Sequence, residues 1–384
     1  VLYQAGLRKQ GEGTLTITDE TNDEGKEITT LKSESDTSGS LTAKGAGGNG
    51  AAGIGGSAAE GTKNIIIEGY ATVDAAGGGY GAGIGGGGYY GEKKPWRCRK
   101  HHHPGLCNCS RKRQRRHWRR LCRKCKKHHH PGAFQGDGIR RHCHRRRQCW
   151  VGRLLRWLGK GIVICDHATV NASTSGNGAA IGAADGNRYA EAEVTIGTDG
   201  ATAEQEDVHV TATSKDGAAI GNGNANTKVI IQGHTTIENA FSKYGAAIGG
   251  NYYANDSGDM SITIRDNATI KKPKVSDEAA NLGKRPAIGA SYANKLVVNI
   301  EGNAHLETVK GVIGTTGSGV KDAVINIKDN AHIDTIEGGS NAIGGESGDG
   351  KTVTVNIDGG ENGNVRLDNV ESGSKAAISG TSIN

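Results

Sequence analysis

The stretches Asn64-Ile-Ile-Ile-Glu-Gly-Tyr-Ala-Thr-Val73 and Gly81-Ala-Gly-Ile-Gly-Gly86 decide the fold, because close copies of both recur along the chain. The second unit brackets one isoleucine with glycine and alanine. Consecutive copies of this isoleucine are 25 to 40 residues apart, except for one interval of 97 residues. A repeat of this length predicts one supersecondary unit stacked on copies of itself. The recurring isoleucines are Ile54, Ile84, Ile181, Ile220, Ile248, Ile288, Ile313, Ile343 and Ile378.

The first unit has the alternation of apolar and polar residues that is typical of β-strands. In Ile262-Thr-Ile-Arg-Asp-Asn-Ala-Thr-Ile270, alternation runs on either side of an Asp-Asn pair. A period of two places one set of side chains on one face, so the pattern predicts two short strands and no helix. The central pair, elsewhere Gly-Tyr, Gly-His or Gly-Asn, tolerates left-handed backbone and turns the chain sharply. Further copies are Val229–Ile237, Val298–Leu306 and Ile325–Ile333.

Short strands joined by corners, with no helical stretch between them, favour a parallel β-helix. A βαβ sheet is excluded, because its parallel crossovers need about a dozen residues. A coil that stacks on the next copy of itself at about 4.8 Å satisfies both strand pairing and burial. We therefore predict an all-β solenoid in which the repeated isoleucines form one buried column. A β-sandwich and a propeller remain as alternatives, although their units would be more even in length.

The composition fits a regular array of small residues better than a large globular core. The 384 residues include 63 glycines, whereas Phe134, Phe241 and Met260 are the only phenylalanines and methionine, and hydrophobic residues make up 34% of the chain. An average protein contains about 7% glycine. A disordered chain could share this composition, but the periodic isoleucines favour a folded repeat.

One stretch, residues 93–160, departs from the repeat. It holds all four tryptophans, seven of the eight cysteines, nine of the fourteen histidines and 24 of the 47 lysines and arginines, with Asp137 as its one acid. Its net charge is therefore +23, which leaves −16 for the rest of a chain whose total is +7. The excess of basic over acidic residues in the protein therefore lies in this stretch and not in the repeats.

Taken at face value, residues 93–160 suggest a zinc site or a nucleic-acid-binding segment. Its sequence lacks two Cys-x-x-Cys pairs at the spacing of a zinc finger or a zinc ribbon, and the run Arg111–Arg116 would repel a cation. Its charge and Trp118 suit phosphate contact and base stacking. We expect neither function, and we predict that the thiols do not converge on a metal. The cysteines concerned are Cys98, Cys107, Cys109, Cys122, Cys125, Cys143 and Cys149.

A third hypothesis explains more of this segment, namely that it is the same repeat translated one nucleotide out of frame. Shifted by one base, codons for Lys100-His-His-His-Pro-Gly105 permit a sequence like Asn64-Ile-Ile-Ile-Glu-Gly69. Shifted codons for Arg115–Arg120 and for Arg147–Trp157 each permit a glycine-bracketed corner. These two corners would divide the interval of 97 residues into thirds of normal length. The hypothesis removes the arguments for metal and nucleic acid.

The repeated units resemble the glycine-rich repeats of large Gram-positive bacterial surface proteins. The resemblance covers Lys44 to Ser379 outside the basic segment. It implies a right-handed parallel β-helix at the cell surface or secreted from the cell, adhesin-like or carbohydrate-binding, with host or environmental glycans or cell-wall polysaccharide as partners. We expect no nucleic-acid partner and no membrane insertion. Since the chain opens at Val1 and stops at Asn384 within a repeat, we expect it to be a fragment.

The rival function is that of a polysaccharide lyase or glycoside hydrolase, because β-helix enzymes work with carboxylates clustered on adjacent coils. Candidate residues are Asp166, Asp266 and Asp329, or His305 with His332. All lie at the repeated corner or just after it, where other residue types replace them in other copies. This recurrence favours a turn ladder, so we expect no enzymatic activity, no catalytic residue, no cofactor and no metal site.

Three regions break the repeat where a non-repeating site would be sought. Asp19–Asp36 and Lys271–Arg285 are charged and loop-like, and the second, with its proline, is interpreted as an insertion between coils. Gly345–Gly350 offers oxygen ligands for calcium, but the strict nonapeptide calcium repeat is absent from the sequence, so a solvated loop is expected.

The repeat boundaries predict four regions. Residues 1–43 form an N-terminal strand or cap, 44–92 and 161–384 form coils of the solenoid, and 93–160 form an irregular basic insertion. A segment with two dozen cations and hardly any periodic apolar residues cannot supply the inward face of two coils. We therefore expect residues 93–160 to leave the solenoid and the flanking repeats, 80–91 and 161–172, to lie on adjacent or nearly adjacent coils.

Overall fold

The strands of this protein stack as the coils of a parallel solenoid. The description below is of a computed structural model, which describes residues 4–18, 39–47, 50–88, 159–184, 190–222, 226–250, 258–276, 285–345 and 350–384. Within these ranges the chain forms β-strands and turns but no α-helix, and every strand pairing is parallel. The prediction of an all-β parallel β-helix is confirmed.

Each coil contributes a strand to row 1, the row that begins with the Ile-x-Ile alternation. In the coils within the stack its inward residues are apolar and fully buried, as Ile65 and Ile67 are, while Ile66 between them faces outward. Row 1 comprises β2 (Leu15–Ile17), β5 (Thr62–Ile67), β8 (Gly159–Ile164), β11 (Ala192–Ile196), β14 (Thr227–Ile231), β17 (Asp259–Ile264), the C-terminal parts of β20 (Pro286–Ile300) and β22 (Val312–Lys328), β25 (Thr352–Asp358) and β28 (Ser382–Ile383).

Row 2 follows row 1 in each coil, after the sharp corner. Its strands form a 10-stranded parallel sheet among the described residues. Row 2 comprises β3 (Ser40–Lys44), β6 (Thr72–Gly77), β9 (Thr169–Thr174), β12 (Val208–Ser214), β15 (Thr235–Ser242), β18 (Thr269–Ile270), β19 (Pro273–Val275), β21 (His305–Lys310), β23 (His332–Gly338) and β26 (Arg366–Ser372).

Row 3 completes each coil with a strand of two residues, the recurring isoleucine and the glycine after it. Rows 1 and 3 belong to one 18-stranded sheet, because β20 and β22 run through both. Numbered from β2, the described residues form nine coils, and β28 begins a tenth. Row 3 comprises β1 (Leu7–Arg8), β4 (Ile54–Gly55), β7 (Ile84–Gly85), β10 (Ile181–Gly182), β13 (Ile220–Gly221), β16 (Ile248–Gly249), the N-terminal parts of β20 and β22, β24 (Ile343–Gly344) and β27 (Ile378–Ser379).

The recurring isoleucines stack as one inward column, as the sequence predicts. Parallel pairing aligns each with the next, and the eight from Ile54 to Ile343 have no exposed surface. Only Ile378, on the last row-3 strand described, is partly exposed. Burial of such a side chain contributes about 1.5–3 kcal/mol, so the column is a main source of stability.

The coils on either side of the 97-residue interval pair directly. Ile84 is aligned with Ile181 in row 3, Ile65 with Ile162 in row 1, and β6 pairs with β9 in row 2. Coil 2 and coil 3 are therefore adjacent, which confirms the expectation for the flanking repeats. Residues 93–158, with their seven cysteines, lie outside the described residues, while Gly159 and Lys160 open strand β8.

One region interpreted as an insertion is partly strand. Pro273, Lys274 and Val275 form β19, which pairs with β15 before it and β21 after it. Proline fits here because β18 and β19 are separated by a break at residues 271–272, so the row-2 ladder is already interrupted. The rest of that region, 277–284, and all of 19–36 lie outside the described residues.

Candidate functional site

The corner between row 1 and row 2 carries the aspartates that the sequence offers as catalytic candidates. Asp166, Asp266 and Asp329 have φ angles of 61°, 60° and 59°, in the left-handed region that glycine occupies in other coils. Aspartate tolerates this conformation better than most residues because its short side chain bonds locally. The corner is thus a repeated turn position, as its sequence recurrence indicates.

Each corner aspartate binds the backbone of the coil before it. The Asp166 carboxylate accepts a hydrogen bond from the Gly69 amide at 3.2 Å, and that of Asp329 accepts one from the Gly302 amide at 2.9 Å. Asp266 accepts two, from Gly233 and from Gly200, both at 3.1 Å. These carboxylates lie in coils 3, 6 and 8, so coils stacked at about 4.8 Å keep them apart. Each of them is instead bonded to a backbone amide of an earlier coil.

The two histidine candidates do lie together. Row-2 pairing aligns His305 with His332, and their rings stack with centroids 4.9 Å apart and planes 10° apart. Asp334 Oδ1 lies 2.9 Å from His305 Nε2 and 3.0 Å from His332 Nε2. Asp368 Oδ2, one coil further on, lies 2.8 Å from His332 Nε2. The sequence identifies the histidines but not these aspartates, whose proximity depends on the register between coils.

Glu206 is a buried carboxyl group that the sequence reasoning missed. Its residue is 1% exposed, and the His234 amide donates to Oε2 at 3.1 Å. Burial raises the pKa of this carboxyl group, although hydrogen bonds from the backbone of Thr198 and His234 oppose the shift. The sequence feature that could have indicated it is the length of this corner. Residues 197–207 separate the row-1 and row-2 strands of coil 4, whereas most coils have about four residues at the same corner.

A second group of potential ligands lies at the corner between coils 2 and 3. Glu68, Cys165 and Asp166 place one ligand atom each within 4.8 Å of one another. Burial, followed by the charge of Asp166, raises the pKa of Glu68. Asp166 already accepts the Gly69 amide, so this group is accounted for by the corner ladder. Cys165 is the one cysteine among the described residues.

A groove of about 240 Å³ follows the outward face of row 2 across coils 1 to 4. Two columns of outward side chains form its sides, and the backbone at Ala43, Ala75 and Ala172 forms its floor. The register aligns the residues of each column on successive coils. One column is Thr42, Asp74, Asn171 and Thr211, and the other is Lys44, Ala76, Ser173 and Thr213.

A second groove, of about 420 Å³, lies at the start of row 1 across coils 3 to 7. Its lining mixes charges of both signs, including Lys228, Glu193 and Asp259, with the apolar Met260 and Val297. Its charged residues are partly paired, since Lys160 forms an ion pair with Glu191 beside the groove. Residues 185–189, 223–225 and 251–257, which precede the row-1 strands of coils 4, 5 and 6 in the sequence, lie outside the described residues.

Comparison with known proteins adds no relative to this description. Neither a family model, nor a curated protein, nor a solved structure matches the chain. Among the described residues, no helix is long and apolar enough to span a membrane. The calcium hypothesis for Gly345–Gly350 cannot be followed, because residues 346–349 lie outside the described part of the chain.

Proposed function

We propose that this chain is the structural, adhesive repeat region of a bacterial cell-surface or secreted protein, and that it binds carbohydrate without catalysis. The observation that carries this proposal is the row-2 groove, which has mostly polar residues along both sides and runs along the stack over coils 1 to 4. A regular scaffold with a long polar face is suited to holding an extended polymer. The resemblance of the repeats to surface-protein repeats supports the location.

The chemistry of the row-2 groove suits sugar hydroxyl groups. Thr42, Asn171 and Thr211 in one column, and Ser173 and Thr213 in the other, offer hydroxyl and amide groups that both donate and accept hydrogen bonds. These groups repeat at the coil spacing of about 4.8 Å, which is close to the length of one hexose unit in an extended polysaccharide. Successive sugars could therefore meet equivalent polar groups on successive coils.

A non-catalytic role is supported by the environment of the acidic candidates. The corner carboxylates of Asp166, Asp266 and Asp329 already accept backbone amides of the preceding coils. These hydrogen bonds hold neighbouring coils together, so the three carboxylates already have a structural role at the corner. The row-2 groove itself contains a single carboxylate, Asp74, among its lining residues, whereas glycoside hydrolysis needs two.

Binding to xylan, chitin and mucin glycans tests the proposal. We expect the wild-type chain to bind at least one of these polymers in a pull-down and by calorimetry, and the double variant Asp74→Ala/Asn171→Ala to lose most of that binding. The matched control is Asn299→Ala/Asn326→Ala, which removes two outward polar side chains from row 1 and should leave binding unchanged. Equal binding by both double variants, or none by the wild type, contradicts the proposal.

A further inference from the structure

Four ligand-type side chains meet on the outward face of row 2 in coils 7 to 9, three coils beyond the row-2 groove. His305 lies in coil 7, His332 and Asp334 in coil 8, and Asp368 in coil 9. Their side chains are between 28% and 44% exposed, so the group is open to ions from solvent. Elsewhere in the described coils, His209 and His234 share Asp207, but that group does not bring three ligand atoms within 4.8 Å of one another.

The imidazole nitrogens and the carboxylate oxygens face one another. His305 Nε2, His332 Nε2 and an oxygen of Asp334 lie within 4.8 Å of one another. The Asp334 oxygen is within hydrogen-bonding distance of both nitrogens, at 2.9 Å and 3.0 Å. His332 Nε2 also lies 2.8 Å from Asp368. One imidazole nitrogen therefore faces two carboxylates, and one carboxylate faces two imidazoles.

We propose that His305, His332 and Asp334 bind a divalent transition-metal ion of the zinc class, with Asp368 as the adjoining carboxylate. Two imidazoles and a carboxylate are a ligand set that zinc accepts, with an open position left for water or a partner's group. Calcium and magnesium prefer oxygen ligands only, so the two imidazoles select against them. This site is separate from carbohydrate binding in the row-2 groove.

Charge balance favours an ion over hydrogen bonds alone. A neutral imidazole has a single N–H, so His332 Nε2 can donate one proton and cannot satisfy both Asp334 and Asp368 fully. With neutral imidazoles the cluster holds two negative charges, one on Asp334 and one on Asp368. Arg366 contacts the carboxylate of Asp368 at 3.2 Å. A divalent cation between the nitrogens and Asp334 compensates the charge left over. The ion binds the Nε2 lone pairs of the imidazole tautomer whose proton is on Nδ1.

Metal binding requires a change in the distances between ligand atoms and a reorientation of the two rings. Tetrahedral zinc bonds of about 2.0–2.1 Å place neighbouring ligand atoms about 3.3 Å apart, whereas the nitrogen-to-oxygen distances here are 2.9 Å and 3.0 Å. The ligand atoms therefore separate by a few tenths of an ångström around an ion. The stacked rings must also tilt so that their lone pairs converge, which partly exposed side chains on adjacent strands can do by rotation about χ2.

Equilibrium dialysis of the full chain against Zn²⁺, with the bound metal counted by mass spectrometry, tests the site. The chain contains eight cysteines and fourteen histidines, so any zinc that other residues bind must be subtracted. Those other residues are the same in all the variants, so the difference in bound zinc between wild type and variant reports this cluster alone. We expect wild type to bind one more zinc ion per chain than His332→Asn. We expect Asp334→Asn to lower the affinity for that ion at least tenfold.

The matched control is His209→Asn. His209 occupies the same outward column of row 2 three coils earlier, beside Asp207 and Glu238. His234 also faces Asp207, but these side chains do not bring three ligand atoms within 4.8 Å of one another, as the His305 cluster does. We expect it to leave the zinc count unchanged. Identical counts and affinities for wild type, His332→Asn and Asp334→Asn overturn the proposal, as does loss of the ion in the control.

Metal-free circular dichroism and thermal melting establish that each variant folds. Asp334→Asn is nearly isosteric and gives the decisive comparison where a histidine variant fails to fold. Excess Ca²⁺ should not displace the ion, and displacement by calcium at millimolar concentration would contradict the assignment to the zinc class. Because the readout is bound metal, failure of this proposal leaves the carbohydrate-binding result standing.

Discussion

The glycine that follows each row-3 isoleucine is required by the approach of the next coil. Gly182 has a φ angle of 135°, and a Cβ there would overlap the carbonyl oxygen of Gly221. The same clash recurs from Gly55 to Gly344, with φ angles between 101° and 141°. This backbone region is accessible to glycine and costs other residues about 1–3 kcal/mol. The sequence shows the glycines, but the coil stacking explains them.

We predict that Gly182→Ala lowers the free energy of unfolding by more than about 3 kcal/mol, because the backbone cost is joined by overlap with the next coil. Urea denaturation measures the loss. The control is Gly200→Ala, which also has a positive φ of 68° but has nothing within 4 Å of the added Cβ. The free energy of unfolding of Gly200→Ala should fall only by the cost of placing alanine at a positive φ. A similar loss for the two variants would show that coil contact is not what selects glycine.

The buried isoleucine column gives a second prediction at this scale. Ile248→Ala should cost about 2–5 kcal/mol, since the cavity lies between coils that are held in register on both sides. Ile383→Ala, at a side chain that is 53% exposed, should cost well under 1 kcal/mol. Chemical denaturation of both variants decides this. Comparable costs at the two positions would mean that the column is not the core.

At the scale of the element, the corner ladder links consecutive coils through side chain and backbone. Asp266 accepts two amides from the preceding coils, and Arg265 beside it pairs with Asp199 at 2.9 Å. The long corner of coil 4 thereby crosses coil 5 and contacts coil 6. The carboxyl group of Glu206, from the same corner, binds the His234 amide of coil 5. Long corners of this kind add contacts between coils that are not nearest neighbours.

We predict a graded series at Asp266. Asp266→Asn keeps an acceptor and tolerates positive φ, so it should cost less than about 1 kcal/mol. Asp266→Gly loses the acceptor, and Asp266→Ala loses both the acceptor and the conformational fit, so their costs should rise in that order to about 2–3 kcal/mol. Thermal unfolding ranks the three variants. An alanine variant more stable than the glycine variant would contradict the left-handed corner.

Row 2 also contains an acid-sensitive link between coils 4, 5 and 6. Hydrogen bonds from Lys271 Nζ, and then from His209, lower the pKa of Glu238. Its folded pKa lies below its unfolded value near 4.5, so its stabilising contribution is present above that value and is lost as pH falls through the folded pKa. Because the side chain is 36% exposed, screening keeps the contribution within about 1 kcal/mol.

We predict that Glu238→Gln reduces stability at pH 7 and flattens the fall in stability below pH 4.5. Unfolding free energies measured from pH 3 to pH 7 for wild type and variant give the comparison. The difference between the two curves should shrink towards acid pH, because wild-type Glu238 then becomes neutral as well. A difference that grows towards acid pH would contradict the lowered pKa.

Strands and corners could be predicted from the sequence because they depend on residues near one another in the chain. The Ile-x-Ile alternation and the Asp-Asn or Gly-Tyr pairs specify strand and turn locally. The His305 cluster, the row-2 groove and the role of Glu206 could not be predicted in this way. Each depends on which residues of two coils of unequal length come into register, and the intervals of 25 to 40 residues leave that register open.

At the scale of the whole molecule, stability comes from contacts between successive coils, as in other solenoids. The direct pairing of coil 2 with coil 3 means that the described coils complete their rows without residues 91–158. A shorter connection between β7 and β8 should therefore also allow coil 3 to stack on coil 2. The connection from β13 to β14, residues 222–226, shows that five residues suffice to pass from row 3 to row 1.

We predict that deletion of residues 91–158 preserves the solenoid. The five residues 86–90 would then connect β7 to β8, which equals the length of the connection from β13 to β14. Far-UV circular dichroism should show undiminished strand signal per molecule, and thermal unfolding should remain cooperative. Loss of the cooperative transition would show that the coils depend on the deleted segment.

The central claim, one uninterrupted stack of parallel coils, is tested most directly by distances between spin labels on the outward column of row 1. Non-natural amino acids carry the labels, so the native cysteines stay unchanged. Ile66 and Asn299 are five coils apart across the 97-residue interval, and Val163 and Asn326 are five coils apart without crossing it. At about 4.8 Å per coil, both pairs should give the same distance, about 24 Å. A distance for Ile66 and Asn299 that is longer by about 10 Å, the height of two further coils, would contradict the account.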